Sequence, residues 1–122
     1  MKLILGGAFQ GKRSFAQAQY HCETWFDFQN GEPQTPFDGF CHLEELTRRE
    51  TLLGGSAAAV LARMAPYWAD AVVVSREIGS GVVPMDAADR AWRELHGQTL
   101  QALASQADQV IRVFCGLPEV LK

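Results

Sequence analysis

The chain has 122 residues, 48% of them hydrophobic and 20% charged, the size and balance of one globular domain spanning 1–122 with a single buried core. Its 11 basic and 14 acidic residues leave a net charge of -3, which offers no basic field for a nucleic-acid backbone and argues against that partner. Glycine breaks the first apolar run at Gly6, too early for a secretory signal, and the longest later run, 57–62, falls far short of the roughly 20 residues of a membrane span. A soluble, cytoplasmic protein with no membrane partner is expected.

Residues 2–5 are apolar and stop at Gly6-Gly7, and helical composition resumes at Ser14-Phe15-Ala16 and runs to Tyr20, so the chain opens as strand, loop, helix. A short strand is expected over 24–28, then a loop marked by Asn30-Gly31 and two prolines. Residues 41–53 carry Leu43, Leu46 and Leu53 among polar residues. Gly54-Gly55 breaks the chain, and Ser56 is placed to cap an alanine-rich helix reaching Trp68. Ala71-Val72-Val73-Val74 has no polar alternation, which suits a strand covered on both faces. A glycine-rich turn follows at 77–81. Asp86 opens a long helix to Ala107, and 109–114 forms a last strand ended by Gly116-Leu117-Pro118. Strands separated by helices imply an α/β fold with a mainly parallel sheet flanked by helices. Cys22, Cys41 and Cys115 form no C-x-x-C pair and are expected as reduced, packed thiols rather than a disulfide framework or zinc knuckle.

Gly6, Gly7, Ala8, Phe9, Gln10, Gly11 and Lys12 satisfy G-x-x-x-x-G-K, immediately after the first strand and opening a helix. Glycines let successive N–H groups curl towards phosphate oxygens, the helix N-terminus adds a favourable dipole, and Lys12 brings a cation to the terminal phosphates of ATP or GTP. The other reading is a plain glycine-rich turn with a surface lysine. Arg13 stands where a hydroxyl would hold Mg2+. Either Ser14 substitutes, or waters, nucleotide and a carboxylate hold the metal, or only binding is retained.

The run Val74-Ser75-Arg76-Glu77-Ile78-Gly79-Ser80-Gly81-Val82-Val83-Pro84, followed by Arg90, Trp92-Arg93-Glu94, Gly97, Gln101, Leu103-Ala104, Ala107-Asp108 and Gly116-Leu117-Pro118, resembles the bifunctional adenosylcobinamide kinase/adenosylcobinamide-phosphate guanylyltransferase family of cobalamin biosynthesis. With Gly6-Gly7-Ala8 and Gly11-Lys12 it covers about half the chain. The resemblance implies a P-loop NTPase-like, RecA-like fold, a homo-oligomer, and phosphorylation of the aminopropanol hydroxyl of adenosylcobinamide. It also implies guanylate transfer through a histidine in a His-Arg motif, but this chain has no His-Arg dipeptide. Aligning residues 37–43 with the family's strand-end aspartate makes Asp38 a carboxylate near Mg2+. His42 is read either as a guanylate carrier or as a structural histidine.

Glu77, at the end of the valine-rich strand, is expected as a metal ligand or base, or as a brace for the Gly79–Gly81 turn. Gly79 and Gly81 remove side-chain bulk beside a ligand or a neighbouring subunit. Arg90 and Arg93, three apart on the long helix, reach phosphate together or pair with Asp86, Asp89 or Glu94. Trp92 and Leu95 belong to the core or a subunit contact. The expected machinery is thus Lys12, Glu77 and Asp38, with Ser14, Asp38 and Glu77 as metal ligands. The rival function is a nucleotide-binding regulatory or partner protein without turnover.

Overall fold

The computed structural model describes residues 1–7, 11–78 and 86–122. In chain order the elements are β1 (Lys2–Gly6), α1 (Lys12–Tyr20), β2 (Trp25–Asp27), a 3-10 turn (Phe28–Asn30), β3 (Gly39–Cys41), α2 (Leu43–Leu52), α3 (Ala57–Trp68), β4 (Val72–Arg76), α4 (Ala87–Gln106), β5 (Gln109–Phe114) and β6 (Leu117–Val120). They build a six-stranded sheet in the order β2-β3-β4-β1-β5-β6, parallel throughout except for the last pair. The α/β class and the mainly parallel sheet flanked by helices therefore stand. Among the described residues no helix is long and apolar enough to cross a membrane.

Side-chain alternation divides the core between the two faces of the sheet. Leu3, Leu5, Phe40 and Val73 point to one face, under Leu43 and Leu46 of α2, Val60, Met64 and Trp68 of α3, and Leu103 of α4. Ile4, Cys41, Val72, Val74, Ile111 and Val113 point to the other, where Ala16 and Phe15 of α1 cover them. The central strands β1 and β4 are apolar on both sides, which explains their unalternating sequence. Helices α3 and α4 start at their expected caps: Ser56 accepts from the Ala59 amide at 3.1 Å and Asp86 from the Asp89 amide at 2.7 Å.

Three expectations are corrected. Gly116-Leu117-Pro118 does not end the last strand: Cys115 and Gly116 both have positive φ, at 50° and 76°, the signature of a tight hairpin turn. The chain then returns antiparallel as β6, with Pro118 tolerated because the strand lies at the sheet edge. Cys115 is exposed at that turn, whereas Cys22 and Cys41 are buried as expected. Finally, α1 starts at Lys12, two residues earlier than its composition indicates.

Gly6 ends β1 under the neighbouring strand, so that a Cβ there would lie 2.5 Å from the Val113 carbonyl oxygen. A backbone carbonyl held in the sheet cannot yield as a flexible side chain can. Gly6→Ala is expected to cost about 1–3 kcal/mol, read as a lower urea midpoint at unchanged slope.

Candidate active site

Helix α1 leaves β1 on one face of the sheet, while α4 leaves β4 on the opposite face and the chain returns to pair β5 with β1. Reversal of winding opens a crevice at the carboxyl ends of the strands, where α/β sheets bind ligands. A cavity of about 380 Å³ lies there, lined by Lys12, Arg13 and Ser14 after β1, Cys41, His42 and Glu44 after β3, and Ser75 and Arg76 at the end of β4.

Gly11 adopts φ 83° and caps α1, a left-handed conformation that suits glycine. Lys12 follows directly, its Nζ donating to the Gly7 carbonyl at 2.6 Å. Burial lowers the pKa of the Lys12 ammonium below its ordinary value; Glu44 pulls it up, Arg76 pushes it down and Glu77 pulls it up. Arg13 lines the cavity with no hydroxyl to offer a metal, and its guanidinium lies 4.9 Å from the Trp25 ring centre. Ser14 is exposed on the same first turn and lines the cavity.

Glu77 follows β4. Its amide donates to the Gly6 carbonyl at 2.9 Å, and its carboxylate pairs with Arg112 of β5 at 3.1 Å. Gly6, Gly7, Gly11, Lys12 and Glu77 are thus brought to one end of the sheet. Asp38 is not. It precedes β3 instead of ending it, and its carboxylate accepts the Glu23 and Thr24 amides at 3.0 and 3.1 Å, pinning the α1–β2 connection at the opposite edge. The alignment with a strand-end aspartate is therefore corrected, because Gly39 is where the ladder begins. Arg90 is exposed and Arg93 half-buried on α4, with no ion pair to Asp86, Asp89 or Glu94 among the described residues. Ala8, Phe9, Gln10, Gly79 and Gly81 lie outside the described residues.

Two residues at this end escape sequence reasoning. Glu44, in the first turn of α2, is 3% exposed, and its Oε2 accepts the Arg76 amide at 3.2 Å. It is the buried carboxylate of the cavity, and its amphipathic surroundings in the sequence resemble any solvated helix face. His96, on α4, has no exposure and stands behind the cavity wall. Its Nε2 reaches the Arg76 carbonyl at 2.9 Å and the Ser75 hydroxyl at 3.2 Å, and its Nδ1 the Thr47 hydroxyl at 2.8 Å. A carbonyl only accepts, so Nε2 carries the proton and Nδ1 takes the Thr47 hydroxyl proton. Trp92, half-buried as part of the same packing, donates from its indole nitrogen to Thr47 Oγ1 at 3.1 Å. Leu95 is buried, as expected.

The profile of the cobinamide kinase/cobinamide phosphate guanyltransferase family matches residues 41–121, about two thirds of the chain. The chain belongs to that family. Membership implies an enzyme acting on cobinamide in cobalamin biosynthesis, with a nucleoside triphosphate as co-substrate. The matched span runs from Cys41, the last residue of β3, through β6, and so takes in two of the cavity's three walls, while the Gly6–Lys12 motif lies before it. A search of curated proteins finds no significant match.

Proposed function

We propose that this member of the cobinamide kinase/cobinamide phosphate guanyltransferase family is a kinase on a P-loop, RecA-like fold, which transfers the γ-phosphate of ATP or GTP to the aminopropanol hydroxyl of adenosylcobinamide. The observation that carries the proposal is the position of Lys12: it follows a left-handed Gly11 at the first turn of α1, and lines the crevice at the carboxyl ends of β1, β3 and β4. Phosphoryl transfer demands positioning and charge neutralisation more than covalent chemistry. Gly6, Gly7 and Gly11, with the intervening Ala8, Phe9 and Gln10, cradle the phosphates, and Lys12 meets the transferring group. The substrate hydroxyl attacks the γ-phosphorus, its proton passes to Glu77, and the nucleoside diphosphate leaves.

Mg2+ fits the donor types present. The Ser14 hydroxyl and the carboxylates of Glu44 and Glu77 are hard oxygen ligands, and Glu44 takes the place at the cavity that was expected of Asp38. The ion would neutralise phosphate charge there. Arg90 and Arg93 remain available to phosphate. The homo-oligomer is carried in the proposal by Phe114, Leu117, Val120 and Leu121, large apolar side chains exposed around the β5–β6 hairpin, and sedimentation measures it. Guanylyl transfer is left out of the proposal because the chain lacks a His-Arg dipeptide.

A second reading is a nucleotide-binding partner protein without turnover. Arg13, stacked on Trp25 where a metal-holding hydroxyl is expected, favours it. Single-turnover reaction of γ-labelled ATP or GTP with adenosylcobinamide and Mg2+ separates the two. Label in adenosylcobinamide phosphate supports the kinase. Nucleotide binding without transfer overturns it and establishes the binding protein.

A further inference from the structure

The parallel register of β2 and β3 sets Asp27 opposite Cys41, and register partners in a parallel pair project to the same face. Cys41 belongs to the face covered by α1. The next residue of a regular strand would point away from that face, but His42 adopts φ 62° and ψ 45°, a left-handed conformation uncommon for histidine. That turn breaks the alternation and returns the imidazole to its neighbours: Nδ1 lies 2.9 Å from Asp27 Oδ1. A carboxylate oxygen of Asp27, Cys41 Sγ and a ring nitrogen of His42 consequently lie within 4.8 Å of one another.

We propose that Asp27, Cys41 and His42 form a binding site for a divalent transition ion of the zinc class, separate from the Mg2+ of phosphoryl transfer. One thiolate, one imidazole and one carboxylate are the donor types that zinc takes from proteins, and three protein ligands leave a fourth position open. Cys41 and His42 line the cavity that Lys12 also lines, so that position faces solvent or a substrate oxygen. Asp27 Oδ1 also accepts the Gln29 amide at 2.8 Å, a fixed orientation of the kind that outer partners give to ligating carboxylates. Glu44, also lining the cavity, adds negative charge, while Arg13 over Trp25 opposes it. Zinc–ligand bonds of about 2.0–2.3 Å place tetrahedral donors roughly 3.3–3.6 Å apart, so the His42–Asp27 pair, at 2.9 Å, opens slightly and the wider separations close by up to about 1 Å through side-chain rotation. Binding displaces the thiol proton, while the His42 ring proton stays on the nitrogen that does not face the ion.

This inference does not depend on the kinase reading, and its test uses no activity. The reduced chain is titrated anaerobically with Co2+, without added thiols. The expected result is a thiolate-to-cobalt charge-transfer band in the near ultraviolet with intense tetrahedral visible bands, saturating at a single equivalent and bleached by Zn2+. Cys41→Ser should abolish the charge-transfer band and Cys115→Ser should preserve it. His42→Gln and Asp27→Asn, at partly exposed positions, should each weaken Co2+ binding by about ten-fold or more while circular dichroism stays native, which keeps the test decisive if Cys41→Ser fails to fold. No charge-transfer band at excess Co2+, a band that survives Cys41→Ser, or undiminished affinity in both His42→Gln and Asp27→Asn overturns the site.

Discussion

Replacing Lys12 with alanine is expected to lower kcat/KM for phosphoryl transfer to adenosylcobinamide by about 10²–10³, the range for losing one preorganised group that stabilises transition-state charge. The physical reason is local. Lys12 stands on the first turn of α1, its ammonium held by the Gly7 carbonyl at 2.6 Å and favoured in its charged form by Glu44 and Glu77. Burial disfavours its charge, so removing it does not weaken the fold. The thermal midpoint of Lys12→Ala should equal or exceed that of the native chain, while turnover collapses. Triphosphate binding supplies negative charge that stabilises the ammonium. Because burial lowers the pKa of Lys12, affinity should fall with rising pH at a lower pH than an ordinary lysine would dictate. Calorimetric titration across the alkaline range reads this, and the dependence should vanish in Lys12→Ala. Turnover that survives the substitution would remove the lysine from the chemistry.

The second large effect is on stability. His96→Leu keeps the bulk of the side chain but deletes its contacts with Thr47, Ser75 and the Arg76 carbonyl, leaving buried polar atoms to find new partners. Each of the three lost bonds costs about 0.5–1.5 kcal/mol net, so a total of about 2–4 kcal/mol is expected. That is a large share of the roughly 5–15 kcal/mol that holds a domain folded. In the native chain every buried side-chain nitrogen and oxygen among the described residues has a partner, and chemical denaturation of the variant measures what one exception costs.

The same residue gives stability a pH dependence of definite sign. Burial lowers the His96 pKa from 6.5, against the raising influence of the Arg76 carbonyl and Glu44. The unfolded chain therefore binds a proton at a higher pH than the folded one. Stability is full above about pH 6.5 and declines below it, by at most ~1.4 kcal/mol per pH unit, until the folded pKa is passed. His96→Gln should flatten that portion of the profile relative to the native chain. An unchanged slope between neutral and mildly acid pH would show that His96 is not the group being titrated.

Where the sequence speaks clearly, local chemistry and final burial coincide. Val72, Val73 and Val74 are apolar because β4 is covered on both faces, and Asp86 and Ser56 cap helices because each side chain reaches an amide three residues on. β3 and β6 are silent for opposite reasons. β3 is three residues long and begins at glycine, so it has no period to detect. β6 is exposed at all four positions, includes proline, and is held by pairing alone. The site divides in the same way. Lys12 is singled out in the sequence because the G-x-x-x-x-G-K pattern has a fixed spacing along the chain, and the structure sets it at the cavity. Glu44, Asp27 and His96 become neighbours of that crevice only through sheet order and helix packing, which leave no mark on sequence separation. Asp38 shows the converse. A carboxylate beside a short strand reads as a ligand if the strand ends there and as a loop staple if it begins there, and a shift of three residues decides between them.

The hydrogen bond from Lys12 to the Gly7 carbonyl has a kinetic side as well. A long flexible side chain normally surrenders up to about 2 kcal/mol of rotamer freedom when a ligand immobilises it. Here the bond to Gly7 already curtails that freedom, so in the proposed reaction an arriving phosphate would exchange one oxygen partner for another at a side chain that is already aimed. On the proposed function, anion capture would be a substitution at a preset donor, with the carbonyl as a placeholder that reclaims the ammonium when product departs.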